Sequence, residues 1–428
     1  MKRLNKLLEN KFVKNIMMVA SGTAFAQILT IALSPIITRI YPPEEYGILS
    51  VYVSLITLLC IGASLDYQKA IPIAQDDKDA YNLIILAFFI LLNFIIVISL
   101  LLVCWGEQLI SLLNSKSLVD YMYFIPLGVL FIGGYNIILN WSLRVKDFQT
   151  ITKTSVTQSI VSNFSKICLG LIGLGPPGLI LGQIIGQSGG ISRLSSPLIR
   201  KRREFVKAIK MKEIIKLSNR YIKFPLYSAP SNYVYTAGGH APVIIITALF
   251  GTVAAGLYGL ANSIVNLPIS LLANSISQVF YSEVASIGKK NPNKIKKLLL
   301  KISGKLAIIG LIPLLVFVLF GPWVFSIIFG QYWYDAGVYA RVLAFVAYAH
   351  FIIFPAGRIL EVVEKQNIGL FVNIIRLIVI IIGFLISYLF EFTALQTVMI
   401  YSLISTLSYL VLFIVVQKVL SKETGLVE

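Results

Sequence analysis

The 37 Lys and Arg residues of this chain, set against its hydrophobic stretches, fall almost entirely on one side of a membrane. Only Arg39, Lys116 and Arg341 lie towards the other side. Few folds satisfy such a pattern: successive apolar runs must cross the bilayer, and loops rich in positive charge stay in the cytoplasm. Charged residues are 13% of the chain, against about 25% in soluble domains, which excludes a water-soluble fold. A hydrocarbon core of ~30 Å needs about 20 apolar residues per helix. Twelve stretches qualify, at 16–38, 46–66, 82–104, 121–143, 152–172, 178–198, 224–248, 254–279, 306–328, 336–357, 368–390 and 395–417.

The sixth and eighth of these are weak by hydropathy. The sixth carries Gln183, Gln187 and Arg193, and the eighth is full of Asn and Ser. Without the sixth, the basic loop from Arg200 to Lys216 would move outside. Without the eighth, the loop from Lys289 to Lys305, with seven lysines, would do the same. Both deletions break the charge rule, so all twelve are kept and both termini are cytoplasmic. The expected fold is an all-α integral membrane protein with 12 transmembrane helices in two six-helix lobes related by pseudo-twofold symmetry. The N-terminal lobe covers 1–199, a basic cytoplasmic linker 200–219 and the C-terminal lobe 220–428. A faint internal repeat agrees: YPPEEYGILSVYVS (41–54) lies over FGTVAAGLYGLANS (250–263) without gaps, setting Tyr41 on Phe250, Gly47 on Gly256 and Ser54 on Ser263. Both lobes start inside, so they read as parallel repeats about an axis normal to the membrane, a known transporter arrangement.

The net charge of +18 therefore needs no nucleic acid as partner. Basic loops are a topology signal first, and contact with anionic membrane lipid is a second benefit. The first residues read as a basic amphipathic helix with Leu4, Leu7, Leu8 and Phe12 on one face, and the apolar run after them is too long for a cleavable signal. Cys60, Cys104 and Cys168 are far apart inside spans, with neither CxxC spacing nor a disulfide framework. The sequence has no phosphate loop, no His-Glu-x-x-His and no nucleophile elbow, and its two histidines cannot build a histidine-rich metal centre. Every loop is too short to hold a catalytic domain. The expectation is a protein that is not an enzyme and uses no cofactor or metal.

Polar residues at helical spacing carry the functional signal. In the first span Thr23, Gln27, Thr30, Ser34 and Thr38 share a sector of roughly 80° at 100° per residue. The eighth repeats the theme with Ser263, Asn266, Ser270, Asn274 and Ser277, flanked by Asn262 and Gln278, and the seventh clusters Ser228, Ser231, Asn232, Tyr235, Gly239 and His240. Such stripes either glue helices together or line a water-filled cavity, and their length on the first helices of both lobes favours the cavity. Lys166 and Arg376 lie well inside spans five and eleven, and His240 near the middle of span seven, while Arg39 is at a span end. A central Lys or Arg costs ~2.5–3.5 kcal/mol on insertion scales, so such residues face a polar interior and mark a pathway. No Asp or Glu lies in the middle of any span. A cavity with cations and no carboxylates suits an anionic cargo.

The elements Arg39-x-Tyr41-x-Pro43-x-x-Tyr46-Gly47 and Asp66-Tyr67-Gln68-Lys69-Ala70-Ile71, then FPLYSAPSNYV (224–234) and GTVAAGLYGLANSIVNLPISLL (251–272), occur in that order. In these motifs, its twelve spans and its length, the chain resembles bacterial O-antigen and capsule repeat-unit flippases, the polysaccharide branch of the multidrug/oligosaccharidyl-lipid/polysaccharide exporter superfamily. The resemblance implies alternating access by two lobes around a V-shaped cavity. It implies an undecaprenyl-diphosphate-linked glycan as cargo, and a multi-pass protein of the bacterial inner membrane acting as a monomer. It also implies a polysaccharide polymerase and a chain-length regulator as partners, and coupling to the membrane potential or to a proton or sodium gradient. Lys166, Arg376, Arg39 and His240 would then be the cationic residues of the cavity, and Thr23, Gln27, Thr30, Ser34, Asn232, Tyr235, Asn262, Asn266, Ser270 and Asn274 its polar lining. Around TAGGHAPVIII (236–246) the chain departs from the family, having only His240 where many relatives carry charged residues. The alternative is a small-molecule or multidrug exporter of the same fold, against which the missing core carboxylates count.

Overall fold

A computed structural model describes residues 11–111, 116–267, 291–363 and 365–425, with positions 269, 271, 280, 283, 284 and 287 between them. The fold is helical throughout, and no strand occurs among the described residues. It divides into two compact units, Met1–Thr236 and Ala237–Glu428.

In the first unit, α1 (Lys11–Ile40), α2 (Pro43–Gly62), α3 (Asp77–Ser111) and α4 (Phe124–Arg144) are long and apolar enough to cross a membrane. They are followed by α5 (Phe148–Leu171) and α6 (Pro176–Ser188), then by three short helices, α7 (Ile191–Arg200), α8 (Arg202–Ala208) and α9 (Met211–Arg220). Local chemistry sets the helix starts. Pro43 occupies the first position of α2, with Glu44 and Glu45 in its first turn, where a fixed φ and negative charge both suit a helix N-terminus. Asp147 caps α5 by accepting a hydrogen bond from the Thr150 amide at 3.1 Å.

The expected single span over 178–198 is two helices, not one. Gly189 leaves the helix with ψ 119 and Gly190 adopts a left-handed φ of 83, so α6 stops after 13 residues and α7 starts in a new direction. What holds α6 is a ridge of small residues. Gly178, Gly182 and Gly186, with Gly190 just beyond, recur every four residues and lie against Leu169, Lys166, Ser162 and Thr154 of α5. A Cβ at Gly182 would stand 2.8 Å from the Lys166 amide nitrogen. This is the small-residue packing that lets membrane helices approach closely.

The second unit begins within α10 (Ala229–Val265) and continues through α11 (Pro292–Phe329), α12 (Tyr334–Val362), α13 (Gln366–Leu389) and α14 (Ala394–Gly425). At ~1.5 Å per residue the 38 residues of α11 exceed a bilayer core, and its lysine-rich first turns account for the excess. Its core joins Ile295 and Leu299 of α11 to Ile353, Ile359 and Leu360 of α12 and Val416 and Leu420 of α14.

Nine helices among the described residues are long and apolar enough to cross a membrane, against the twelve expected stretches. The fifth stretch is α5, whose polar face lowers its hydropathy, and the sixth is cut short to α6 by the break at Gly190, beyond which α7 runs separately. The seventh and the first part of the eighth, to Val265, share α10, where Gly251, with φ 81 and ψ −178, separates two helices. This break falls where the internal repeat puts it. The gap-free alignment sets Gly251 on Pro42, which separates α1 from α2, and Gly256-Leu257-Tyr258 on Gly47-Ile48-Leu49, all six buried. The two units thus repeat both a turn and the burial pattern after it.

Candidate functional site

Lys166 sits on α5 in a polar seam, seven residues after Ser159 and three after Asn163, so that the three share one side of the helix. Asn163 donates to Thr30 Oγ1 of α1 at 3.1 Å, Thr30 and Ser159 share a hydrogen bond of 2.9 Å, and Ser159 donates to the Ala26 carbonyl at 2.8 Å. The Lys166 ammonium donates to Gln183 Oε1 of α6 at 2.6 Å. Gln183 is adjacent to Gly182, whose missing side chain lets α6 come close enough for this bond. The Lys166 carbonyl accepts from the buried Tyr41 hydroxyl at 2.7 Å. Burial, with Glu45 beside it, pushes the Tyr41 phenol up to about 12, so it remains a donor. The ion pairs among the described residues, which join Lys69, Arg144, Lys201, Lys216 and Arg220 to carboxylates, leave Lys166 out. Its formal charge is solvated by one neutral amide and is half-buried.

The α1 stripe divides along its length. Ser34 and Thr38 are buried and bond back to their own helix, at the Ile31 and Pro35 carbonyls. Thr30 joins the α5 seam. Thr23 and Gln27 are exposed, Thr23 bonding the Val19 and Ala20 carbonyls. Arg39 is exposed in the last turn of α1, where a cation suits the helix C-terminus.

A second polar centre of the first unit lies at the turn between α2 and α3. Leu65 and Asp66 both take left-handed φ, 48 and 59. The buried Asp66 carboxylate accepts from Lys69 at 3.0 Å, Ser228 at 2.7 Å and Asn232 at 2.6 Å, with Gln68 at 3.4 Å on the other oxygen. Ser228 ends a π-helical turn, Phe224–Ser228, and Asn232 is one turn further on. The Asn232 amide, expected in a cavity lining, is therefore engaged with a carboxylate. Tyr235 on the same helix is exposed.

In the second unit His240 is half-buried, and Asn266 donates to both the backbone and the side-chain oxygens of Asn262, at 2.8 and 2.7 Å. Ser270 and Asn274 lie outside the described residues. Arg376 of α13 donates to the Tyr409 hydroxyl of α14 at 2.9 Å and lies 4.4 Å from that ring's centroid, and His350 of α12 stacks on the same ring at 4.7 Å. Tyr409 thus ties three helices together, through a cation–π contact with Arg376 and ring stacking with His350. Lys166 shares one side of α5 with the residues that bond Thr30 of the expected stripe. Sequence reasoning missed Ser159, Asn163 and Tyr41 as parts of that seam. The spacing of Ser159, Asn163 and Lys166 at i, i+4 and i+7 was the signal for the first two, while Tyr41 reaches Lys166 across 125 residues and left none.

Residues 36–338 match the profile of a family described as polysaccharide biosynthesis protein. Among solved structures, the chain is similar to a multidrug resistance MATE family transporter of the MOP superfamily in an inward-facing conformation, with TM-score 0.77 and 17% identity over 93% of this chain and 96% of that one. It is similar to the lipid II flippase MurJ in an inward closed conformation, with TM-score 0.71 and 15% identity over 94% of this chain and 87% of that one. A third is a MOP superfamily transporter from Pyrococcus furiosus, for which a reverse polarity of the binding pocket suggests a different function (TM-score 0.58, 15% identity, 96% of each chain). No curated protein sequence matches the chain. At such identities the likeness is one of fold.

Proposed function

Because this chain belongs to the polysaccharide biosynthesis protein family and has the fold of MOP-superfamily transporters, we propose that it is a flippase for a lipid-linked oligosaccharide. The cargo would be an undecaprenyl-diphosphate-linked repeat unit, carried by alternating access from the cytoplasmic to the outer leaflet of the bacterial inner membrane. The observation that carries this reading is Lys166 of α5, a cation that donates to one neutral amide and is joined to no carboxylate by the ion pairs among the described residues. A diphosphate meets that cation with opposite charge and abundant acceptor oxygens. An organic cation meets it with repulsion, which argues against export of cationic drugs.

In this mechanism the glycan and diphosphate occupy hydrated polar surface while the polyprenyl tail remains in the bilayer. Gln183 keeps the ammonium in place between transport cycles. With the interior negative, moving two negative charges outward across 100 mV releases roughly 4.6 kcal/mol, at ~2.3 kcal/mol per charge. That is enough to drive the step without ATP.

The test is a charge series at Lys166, read as surface glycan in cells whose own flippase is deleted, with each variant first shown to reach the membrane at normal abundance. Lys166→Arg should keep substantial export, Lys166→Gln should lose most of it and Lys166→Glu more still, since attraction becomes repulsion at a dielectric below that of water. Normal export by a well-expressed Lys166→Glu protein would sink the proposal. Dye efflux measured on the same strains separates the small-molecule alternative, which should show efflux independent of lipid-linked glycan.

A further inference from the structure

Between the last membrane helix of the first half and the π-helical turn at Phe224, helices α7, α8 and α9 form a strap. Residues 191–223 hold eleven Lys and Arg against two Glu, a net +9. The strap is clamped to the N-terminal turns of α3. The buried Asn82 side chain donates to the Ala208 carbonyl and accepts from the Lys210 amide, both at 3.0 Å, so it closes the α8–α9 turn onto α3. Tyr67 donates to the Ser218 carbonyl at 3.1 Å, Phe205 packs edge-on against Tyr81 at 5.2 Å, and Leu217 is buried. Asp79 and Asn82 are in the first turns of a 35-residue helix that continues into an apolar membrane span. The strap therefore lies at the level where α3 enters the bilayer.

Three sides of α9 have different characters. Ile214 and Leu217 face the clamp. Lys212, Lys216 and Arg220 follow one another at intervals of four along an exposed basic ridge. Met211 and Ile215, also four apart, are exposed on a further side, 68% and 53%, and exposed Val206 and Ile222 flank them on either side. The apolar sector of α9 is thus wider than the part that α3 covers, and a basic ridge borders the uncovered part. A water-facing helix has no use for that pair of faces. An interfacial helix does: its apolar side enters the boundary between headgroups and acyl chains while its basic side meets anionic headgroups.

We propose that the α7–α9 strap is a docking surface for anionic phospholipid, with Met211, Ile215 and the neighbouring apolar residues among the upper acyl-chain carbons and the lysines and arginines on phosphate headgroups. Charge complementarity selects this occupant, since a net +9 surface with exposed apolar residues fits an anionic leaflet. The strap joins the turn that holds Asp66 to the start of α10, so lipid bound here braces the segment that carries Ser228 and Asn232. The proposal does not depend on which cargo is transported.

The test uses the full chain with Cys60, Cys104 and Cys168 replaced and one new cysteine, Met211→Cys, carrying an environment-sensitive fluorophore in reconstituted vesicles. Quenching is titrated with bromolipid, as either phosphatidylglycerol or phosphatidylcholine. A second protein labelled through Phe89→Cys, on an exposed face in the middle of α3, reports bulk lipid contact and should be quenched alike by both. At Met211→Cys, half-quenching should need at least about fivefold less brominated phosphatidylglycerol than phosphatidylcholine, the preference of roughly one basic residue near an anionic surface. Replacing Lys210, Lys212 and Lys223 together by Gln should clearly reduce that preference without altering the Phe89→Cys signal. Absence of quenching by either lipid would place this face in water or under another protein and overturn the proposal. So would equal quenching by both lipids, or a preference left undiminished by the triple substitution.

Discussion

At Asp66 a strained backbone and a saturated side chain occur in the same residue. Left-handed φ at two successive non-glycine residues, Leu65 and Asp66, costs roughly 1–2 kcal/mol per residue, though less for Asp, which tolerates this region. The carboxylate offsets it by gathering Lys69, Ser228 and Asn232 on one oxygen. Hydrogen bonds to a charged group contribute ~1.5–3 kcal/mol each, and stranding their donors costs more than their absence. Asp66→Ala should therefore lower stability by about 2–3 kcal/mol, read as a lower midpoint of thermal unfolding in detergent. Lys69→Ala should be nearly neutral, because its side chain is 41% exposed and such pairs contribute little. Equal losses in the two variants would assign the effect to the ion pair instead of the Ser228 and Asn232 contacts.

At the scale of elements, the glycine ridge of α6 decides where Lys166 sits. A methyl at Gly182 would press on the α5 backbone 2.8 Å away, and backbone cannot rotate aside as a side chain can. Gly182→Ala should cost ~1–3 kcal/mol through overpacking and, by pushing α6 off α5, lengthen the Lys166–Gln183 hydrogen bond. Gly304→Ala makes the control. No atom lies within 4 Å of a Cβ there, and Ala is favoured over Gly in a helix by up to about 1 kcal/mol. Its melting temperature should be unchanged or higher. If both substitutions melt alike, close packing at Gly182 is not what holds α6. The repeated turn is an element-scale feature too. Pro42 and Gly251 are chemically unlike, yet both end a helix, one by lacking an amide hydrogen and the other by a positive φ.

For the whole molecule, the charge pattern makes a topological prediction. Single cysteines at Glu45, Thr252, Tyr332 and Phe392 should react with an impermeant maleimide added to intact spheroplasts, and cysteines at Arg202 and Lys294 should react only after permeabilisation. Tyr332 is 83% exposed and Arg202 is exposed as well, so a difference between them reports sidedness, not burial. Reaction of the Arg202 cysteine from outside would invert the strap and remove the leaflet on which lipid is proposed to bind.

That the chain is a helical membrane protein was legible in its residues alone, because the thickness of the bilayer and the distribution of lysine and arginine are one-dimensional constraints readable along a chain. The expectation that Lys166 belongs to the fifth stretch, and that the turn at Tyr41 recurs at Phe250, was readable in the same way. Tertiary structure decided what those residues touch. Hydropathy could not show that the stretch at 178–198 breaks at Gly190, since the break comes from backbone geometry and from α5 occupying the glycine ridge. Periodicity gave Thr30, Ser34 and Gln27 one shared face, but their fates differ with depth: Thr30 bonds α5, Ser34 is buried and Gln27 remains exposed. Arg376 and Lys166 read alike as intramembrane cations, and only the neighbouring helices separate them. One lies over the ring of Tyr409, and the other is held by the amide of Gln183, because a side chain's partners are set by which helix packs beside it and not by its own place in the chain.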